Sequence, residues 1–83
     1  MEKRIGTITV FIYNRAIASQ INTIISQYSD IIVARQGLPF HHRQLSVIAL
    51  IVEGDVDQVN ALSGKLGKLT EVEVKAVVAK NQN

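Results

Sequence analysis

The chain has 83 residues, 47% of them hydrophobic and 19% charged, with a formal net charge of +2 at pH 7. This length supports one small core, so we expect a single domain over residues 1–83 that is too small to be very stable as a free monomer. The lack of cysteine excludes disulfides and thiolate metal sites, and no apolar run is long enough for a membrane helix. Small, scattered positive charge is weak evidence for nucleic-acid binding.

No targeting segment is evident at the start of the chain, where Met1-Glu2-Lys3-Arg4 leads directly into an alternating pattern. Together with the absence of cysteine, this pattern leads us to expect a cytoplasmic protein. The polar residues 80–83 are expected to form a disordered tail. Because a small domain without disulfides needs another source of stability, a homo-oligomer, either a dimer or a tetramer, is expected.

The first half of the chain predicts a strand, a helix and a second strand. Hydrophobic residues alternate over residues 4–13, which is typical of a strand. Asn14 can cap the helix that follows, because its side-chain oxygen can accept from a free backbone amide. The helix has an apolar stripe at Ile17, Ile21, Ile24, Ile25 and Tyr28. Residues 31–36 are rich in β-branched side chains and predict a strand. Gly37 and Pro39 predict a turn directly after it.

The second half repeats the order of strand, helix and strand. Residues 45–53 are apolar on both faces, which predicts a central strand. Asp55 and Gln58 have the spacing of a capping box at the start of a second helix. Gly67 is placed to end that helix in a left-handed conformation, and Gly64 inside it suggests close packing or early fraying. Residues 72–78 predict the last strand.

The predicted order is β-α-β-β-α-β, which corresponds to an α+β, ferredoxin-like fold. Right-handed crossovers would give a four-stranded antiparallel sheet with both helices on one face and strands one and three in the centre. The second strand then leaves an apolar edge without charges to guard it. We therefore expect another copy of the chain to cover this edge or the helix-free face, with interface residues Phe11, Tyr13, Ile31, Ile32 and Val33.

Three stretches carry a family resemblance: Gly37-Leu38-Pro39, the run from Asn60 to Gly67, and Val72-Glu73-Val74-Lys75. In this pattern the chain resembles the small family of proposed regulators of the iron-only hydrogenase system. That family is similar in fold to ACT domains and to the C-terminal sensing domain of the nickel-responsive repressor. The resemblance implies a regulatory, ligand-sensing module and no enzyme. Because no DNA-binding segment is evident, an effect on transcription would need a partner protein.

The chain departs from both related groups at their ligand sites. Many ACT domains that bind amino acids have glycine or proline after strand one, whereas this chain has Tyr13-Asn14-Arg15-Ala16. The nickel repressor's sensing domain uses a cysteine, which this chain lacks. The resemblance therefore implies a small effector, such as a metal ion, an anion or a metabolite, without identifying it. It does not identify a cofactor, which stays unknown.

Two regions supply the candidate ligand-binding residues, which are Asn14, Arg15, Gly37, Leu38, Pro39, His41 and His42. The first region lies at the start of a helix, although capping alone explains Asn14. Imidazole is a common metal ligand, but neighbours in an extended segment point to opposite faces, so we assign no metal site. A polar hairpin tip is therefore the preferred explanation of both histidines.

Other function classes have less support. RNA-binding modules of this fold stack bases on aromatic residues of the central strands, and residues 45–53 contain no aromatic residue. No serine, histidine and carboxylate have a spacing that indicates a catalytic site. The main alternative is a ligand-free interaction module that recruits a protein through its exposed sheet edge.

Overall fold

The computed structural model describes residues 2–80, which form a four-stranded sheet and two α-helices. The strands are β1 (Arg4–Ile12), β2 (Ile32–Phe40), β3 (Leu45–Gly54) and β4 (Val72–Val78), and the helices are α1 (Ala18–Gln27) and α2 (Val56–Gly67). Two short 3-10 turns, Arg15–Ile17 and His41–Arg43, precede α1 and β3. The order confirms the predicted α+β, ferredoxin-like fold.

The sheet has the strand order β2-β3-β1-β4, and all neighbouring strands are antiparallel. β1 and β3 are central, as the predicted topology required, and β2 and β4 form the edges. At one end of the sheet, Ile12 pairs with Ser46, and Ser46 pairs with Pro39 of β2. This register brings the end of β1 next to the hairpin that joins β2 and β3.

The hydrophobic core lies between one face of the sheet and the two helices. The predicted stripes face this core because alternate strand residues and every third or fourth helix residue share a face. Strands contribute Ile8, Val10, Ile12, Leu50 and Val52, and helices contribute Ile21, Ile25, Val59, Leu62 and Leu66. The predicted capping box is present at α2: Gln58 N donates to Asp55 Oδ1 at 2.8 Å, and Asp55 N donates to Gln58 Oε1 at 3.0 Å.

The predicted turn at Gly37 and Pro39 is wrong, because both residues lie inside β2. β2 is an edge strand with one partner, so proline can be accommodated where its missing amide would face the open edge. The chain reverses later, over the 3-10 turn His41–Arg43 and Gln44, which has a left-handed φ of 51°. β2 and β3 therefore form a longer hairpin than the sequence indicated.

Of the predictions for the two glycines of α2, only the end of the helix at Gly67 is confirmed. Gly67 is the last residue of α2, but no glycine within residues 2–80 has a positive φ. The left-handed residue is Glu71, with a φ of 60°, directly before β4. A Cβ added at Gly64 would meet no atom within 4 Å, so this glycine is not closely packed in the chain.

Two further predictions concern a disordered C-terminal tail and the absence of a membrane-spanning helix. Of the expected disordered tail 80–83, residues 81–83 lie outside the described residues. Among the helices in residues 2–80, none has the length and hydrophobicity needed to cross a membrane.

Candidate functional site

The most exposed part of the sheet is the β2–β3 hairpin. Residues 33–39 of β2 are exposed on both faces, although one face points to the helix side of the sheet. We call residues 37–48, which comprise the end of β2, the turn and the start of β3, the hairpin arm. Its helix side carries Gly37, Pro39, Ser46 and Ile48, as their pairing shows. Of these residues, Ile48 packs against the core, whereas Gly37 and Pro39 are exposed.

A side-chain contact joins the hairpin arm to the turn after β1. Arg15 Nη2 lies 2.8 Å from His41 Nδ1, although the two residues are 26 positions apart. The guanidinium can only donate, so Nδ1 accepts and the proton of a neutral His41 lies on Nε2. Arginine has five N–H donors, and this contact uses one of them. The bond holds the guanidinium at the edge of an open cleft.

The cleft has two adjoining halves. The polar half has a volume of about 440 Å³ and is lined by Ile12, Tyr13, Asn14, Arg15, His41, Gln44 and Ser46. The apolar half has a volume of about 200 Å³ and is lined by Ile12, Arg15, Ala18, Gly37, Leu38, Pro39, Ser46, Val47 and Ile48. Ile12, Arg15 and Ser46 line both halves, so we treat them as one cleft. Its polar half falls within the size range of small-molecule sites, about 300–1,000 Å³.

Asn14 is held by bonds to the chain itself. Its Oδ1 accepts from Ala16 N at 2.9 Å, which confirms the predicted cap, and its Nδ2 donates to Glu71 Oε1 at 3.0 Å. Both polar atoms of Asn14 are therefore engaged. This arrangement ties the turn after β1 to the residue before β4 and shapes the wall of the cleft.

Tyr13, the neighbour of Asn14, is also held by a hydrogen bond to a glutamate side chain. Its hydroxyl donates to Glu73 Oε1 at 3.3 Å. The pKa of Tyr13 is raised above its ordinary value of 10.0 by partial desolvation, by the hydrogen bond to Glu73 and by the negative charge of that carboxylate. Tyr13 therefore stays a neutral donor at physiological pH.

Six of the seven predicted ligand-binding residues line the cleft. Asn14, Arg15 and His41 line the polar half, and Gly37, Leu38 and Pro39 line the apolar half. His42 lines neither half. The assumption that the two histidines lie in an extended segment is wrong, because both belong to the 3-10 turn. Across residues 2–80, no three His, Asp or Glu side chains are grouped to hold a metal ion.

Besides Tyr13, which was predicted at an interface, sequence reasoning missed six lining residues: Ile12, Ala18, Gln44, Ser46, Val47 and Ile48. Ser46 and Gln44 provide polar groups, and Ile12 forms the floor shared by both halves. Ser46 had a recognisable signal, since it is the one polar residue between Leu45 and Leu50 in an otherwise apolar strand. Gln44 had none, because a left-handed glutamine is not predictable from residue type.

The predicted interface residues have different environments. Tyr13 and Val33 are 51% and 64% exposed, and Phe11 is half-buried on the helix-free face. Ile31 is only 4% exposed and belongs to the core, while Ile32 is half-buried against that core. Ile31 therefore contributes to the fold of the monomer, and its side chain is not presented at the sheet edge.

The helix-free face also exposes apolar residues that were not predicted. Ile5, Leu38, Ile51 and Val77 are between 46% and 66% exposed. The register places Ile51 opposite Thr7, and Thr7 opposite Val77, so they share this face across three strands. We call Ile5, Leu38, Ile51 and Val77, with Phe11 among them, the open sheet face.

Comparisons with known proteins identify a family. Residues 4–76 match the family described as "TM1266-like: Iron-only hydrogenase system regulator, putative". An uncharacterized transcriptional regulator from Methanocaldococcus jannaschii, MJ0080, is 34% identical over 74 residues. This alignment includes 89% of the chain and 56% of MJ0080, so the chain spans little more than half the length of this curated relative.

Solved structures agree with this result. The uncharacterized protein TM1266 from Thermotoga maritima has a TM-score of 0.90 and 34% identity, and the match covers 95% of the chain and 100% of TM1266. An unknown protein from Galdieria sulphuraria shares the fold, with a TM-score of 0.69 at 12% identity, over 99% of the chain and 48% of that protein. The chain therefore belongs to the TM1266-like family, as the resemblance in its sequence indicated.

Proposed function

We propose that this chain is a non-enzymatic, homo-oligomeric regulatory domain that binds a small effector in the cleft between the hairpin arm and the turn after β1. The observation that carries this proposal is the Arg15–His41 bond, which places a guanidinium where the polar and apolar halves of the cleft meet. Membership of a regulator family and similarity to a transcriptional regulator support the regulatory role. The domain would act in the cytoplasm on a hydrogenase system, through a partner protein where transcription is the target.

The open sheet face supports the homo-oligomer. Contiguous apolar patches of this kind on a small protein commonly mark interaction surfaces. The face combines four exposed hydrophobic residues with half-buried Phe11 and has no helix over it. A second subunit packed here, giving a dimer or tetramer, would add the buried apolar surface that a chain of this size lacks.

Effector binding is tested by a thermal-shift screen with divalent metals, carboxylates, amino acids, nucleotides and phosphate at fixed protein concentration. A ligand present at a hundred times its dissociation constant stabilises the folded state by about 2.7 kcal/mol. His41→Ala should reduce the shift, because His41 lines the cleft and orients Arg15. His42→Ala is the matched control and should retain it. An equal loss in both variants, or in neither, would contradict the proposed site.

A second candidate function rests on the edge of β2. Residues 33–39 are exposed on both faces, and β2 has a strand partner on one side only. This edge suits a ligand-free module that recruits a protein by strand addition. Val33→Lys would place a charge at the edge, whereas Ile51→Lys would place one on the open sheet face.

Sedimentation velocity separates these surfaces. If copies pack through the open sheet face, Ile51→Lys should give folded monomers and Val33→Lys should leave the assembly intact. If copies or partners join through the edge, the result should be reversed. Thr70→Lys, at an exposed residue between α2 and β4, controls for added charge. A monomeric wild-type chain at high concentration would refute the homo-oligomer.

A further inference from the structure

The cleft has a chemical polarity that narrows the class of ligand it can take. Its apolar half is walled by aliphatic groups on the helix side of the sheet, including Ile12, Pro39 and Ile48. The volume of this apolar half, about 200 Å³, is large enough for one small aliphatic group of a ligand. Burial of such a group is favourable because it removes apolar surface from water.

The polar half favours an anionic head group. Among its lining residues, Arg15 is the one permanent charge, and Ser46 lies beside it in the shared part of the cleft. Guanidinium groups bind carboxylates with two parallel hydrogen bonds. His41 Nδ1 accepts from Arg15 in that arrangement, so Arg15 supplies the permanent positive charge of the described lining. One positive charge matches a monocarboxylate more closely than a phosphate dianion.

The same lining disfavours an amino group on the ligand. No carboxylate is among the residues that line either half of the cleft. The two nearby carboxylates, Glu71 and Glu73, accept from Asn14 and Tyr13 instead. An ammonium group would therefore be desolvated beside Arg15, which repels it, without an anionic partner.

We infer that the effector is a small monocarboxylate with a branched aliphatic body and no amino group, such as a branched 2-oxo acid or a short branched fatty acid. This inference rests on the proposed effector-binding function and names the ligand of the same cleft. The carboxylate binds Arg15 and Ser46, and the aliphatic body fills the half whose helix-side wall carries Pro39 and Ile48. The ligand thereby bridges the turn after β1 and the hairpin arm.

The test is a titration of the ¹⁵N-labelled full chain followed by two-dimensional NMR. Four probes distinguish the contribution of the ligand's carboxylate from that of its aliphatic part. They are 3-methylbutanoate, 4-methyl-2-oxopentanoate, leucine and acetate, and inorganic phosphate is a further anion. We expect saturable shifts of the amides of Arg15, Gly37, Ser46 and Ile48 with at least one branched acid. Leucine, acetate and phosphate should bind at least tenfold more weakly.

Variants test the two halves of the cleft separately. Arg15→Gln should raise the dissociation constant of the branched acid at least tenfold. Arg35→Gln is the matched control, because Arg35 donates to Asn22 at 3.0 Å outside the cleft, and it should bind as the wild type does. Ile48→Ala, on the helix side of the hairpin arm, should reduce the preference for a branched acid over acetate while acetate binding stays constant.

Several results would overturn the inference. Leucine or acetate binding as tightly as the branched acids would refute the ligand class, as would unchanged binding in Arg15→Gln. If the acids fail but another compound from the thermal-shift screen moves the same amides, the ligand class is wrong and the effector-binding function stands. If no compound moves them, both fail and the interaction module remains.

Discussion

Two glycine-to-alanine substitutions should change stability in opposite directions. Gly64 lies inside α2, and a Cβ there would meet no atom within 4 Å. Alanine is favoured over glycine in a helix interior by about 1 kcal/mol, because glycine loses more backbone freedom on folding. Gly6 lies inside β1, where a Cβ would sit 2.9 Å from the backbone oxygen of Val77. Because β4 would have to move, we expect Gly6→Ala to cost about 1–3 kcal/mol.

Thermal and urea unfolding at one fixed protein concentration measure both effects. For a domain of this size, 1 kcal/mol corresponds to a change in Tm of about 4–8 °C. Gly64→Ala should therefore raise Tm by about that amount, and Gly6→Ala should lower it by at least as much. Circular dichroism of the folded variants controls for changes in secondary structure.

One result would refute the reasoning for Gly64. If Gly64→Ala lowers Tm and the decrease depends on protein concentration, then a group outside the chain occupies the space that is open within it. A second subunit is the obvious source, and dilution would then reduce the difference between variant and wild type. A lower Tm that is independent of protein concentration would instead show that the helix is not well formed around Gly64.

Two further predictions concern a helix cap and a titration. Asp55→Ala removes the acceptor for the Gln58 amide at the start of α2 and should cost about 1 kcal/mol in urea unfolding, whereas Asp55→Ser should cost less than half of that. In a Tyr28→Phe background, the absorbance of the phenolate should give a pKa for Tyr13 above 10.0, and Glu73→Gln should lower it. Because the unfolded chain loses this proton first, folding stability should fall as the pH rises above about 10 and should not depend on Tyr13 below it. A Tyr13 pKa at or below 10.0 would contradict the hydrogen bond to Glu73.

Local patterns explain why much of the fold was predictable. The alternation in β1, the apolar stripes of both helices and the box formed by Asp55 and Gln58 depend on neighbours within a few residues. The central position of β3 followed from its two apolar faces, because only a covered strand tolerates both. These features needed no information about distant parts of the chain.

The errors have tertiary causes. Gly37 and Pro39 are typical turn residues, and only the position of β2 at the sheet edge allows both within a strand. Ile31 was placed at the edge because it begins an apolar run, but its backbone amide bonds to Tyr28 and its side chain packs into the core. A left-handed residue was predicted at Gly67 and occurs at Glu71, where residue type gives no signal.

The candidate site was predictable in its parts and not in its assembly. Asn14 and Arg15 were found from the start of a helix, and Gly37 to His41 from an unusual central stretch. Their proximity depends on the pairing of Ile12 with Ser46 and of Ser46 with Pro39, which only the sheet register reveals. Ser46 was missed because its role depends on its position between the two regions, which the sequence alone does not show.

The exposure of β2 has a consequence for the dynamics of the domain. Strands with few buried contacts open at a lower free-energy cost than the core, and their amides exchange with solvent sooner. Residues 33–39 should therefore form the first unit to detach, while Leu50 and Val52 of β3 stay protected. A molecule that bridges Arg15 and Ser46 would hold the hairpin arm against the body and reduce this opening. By thermodynamic linkage, a partner that orders the outer edge of β2 would in turn raise the affinity of the cleft for its ligand.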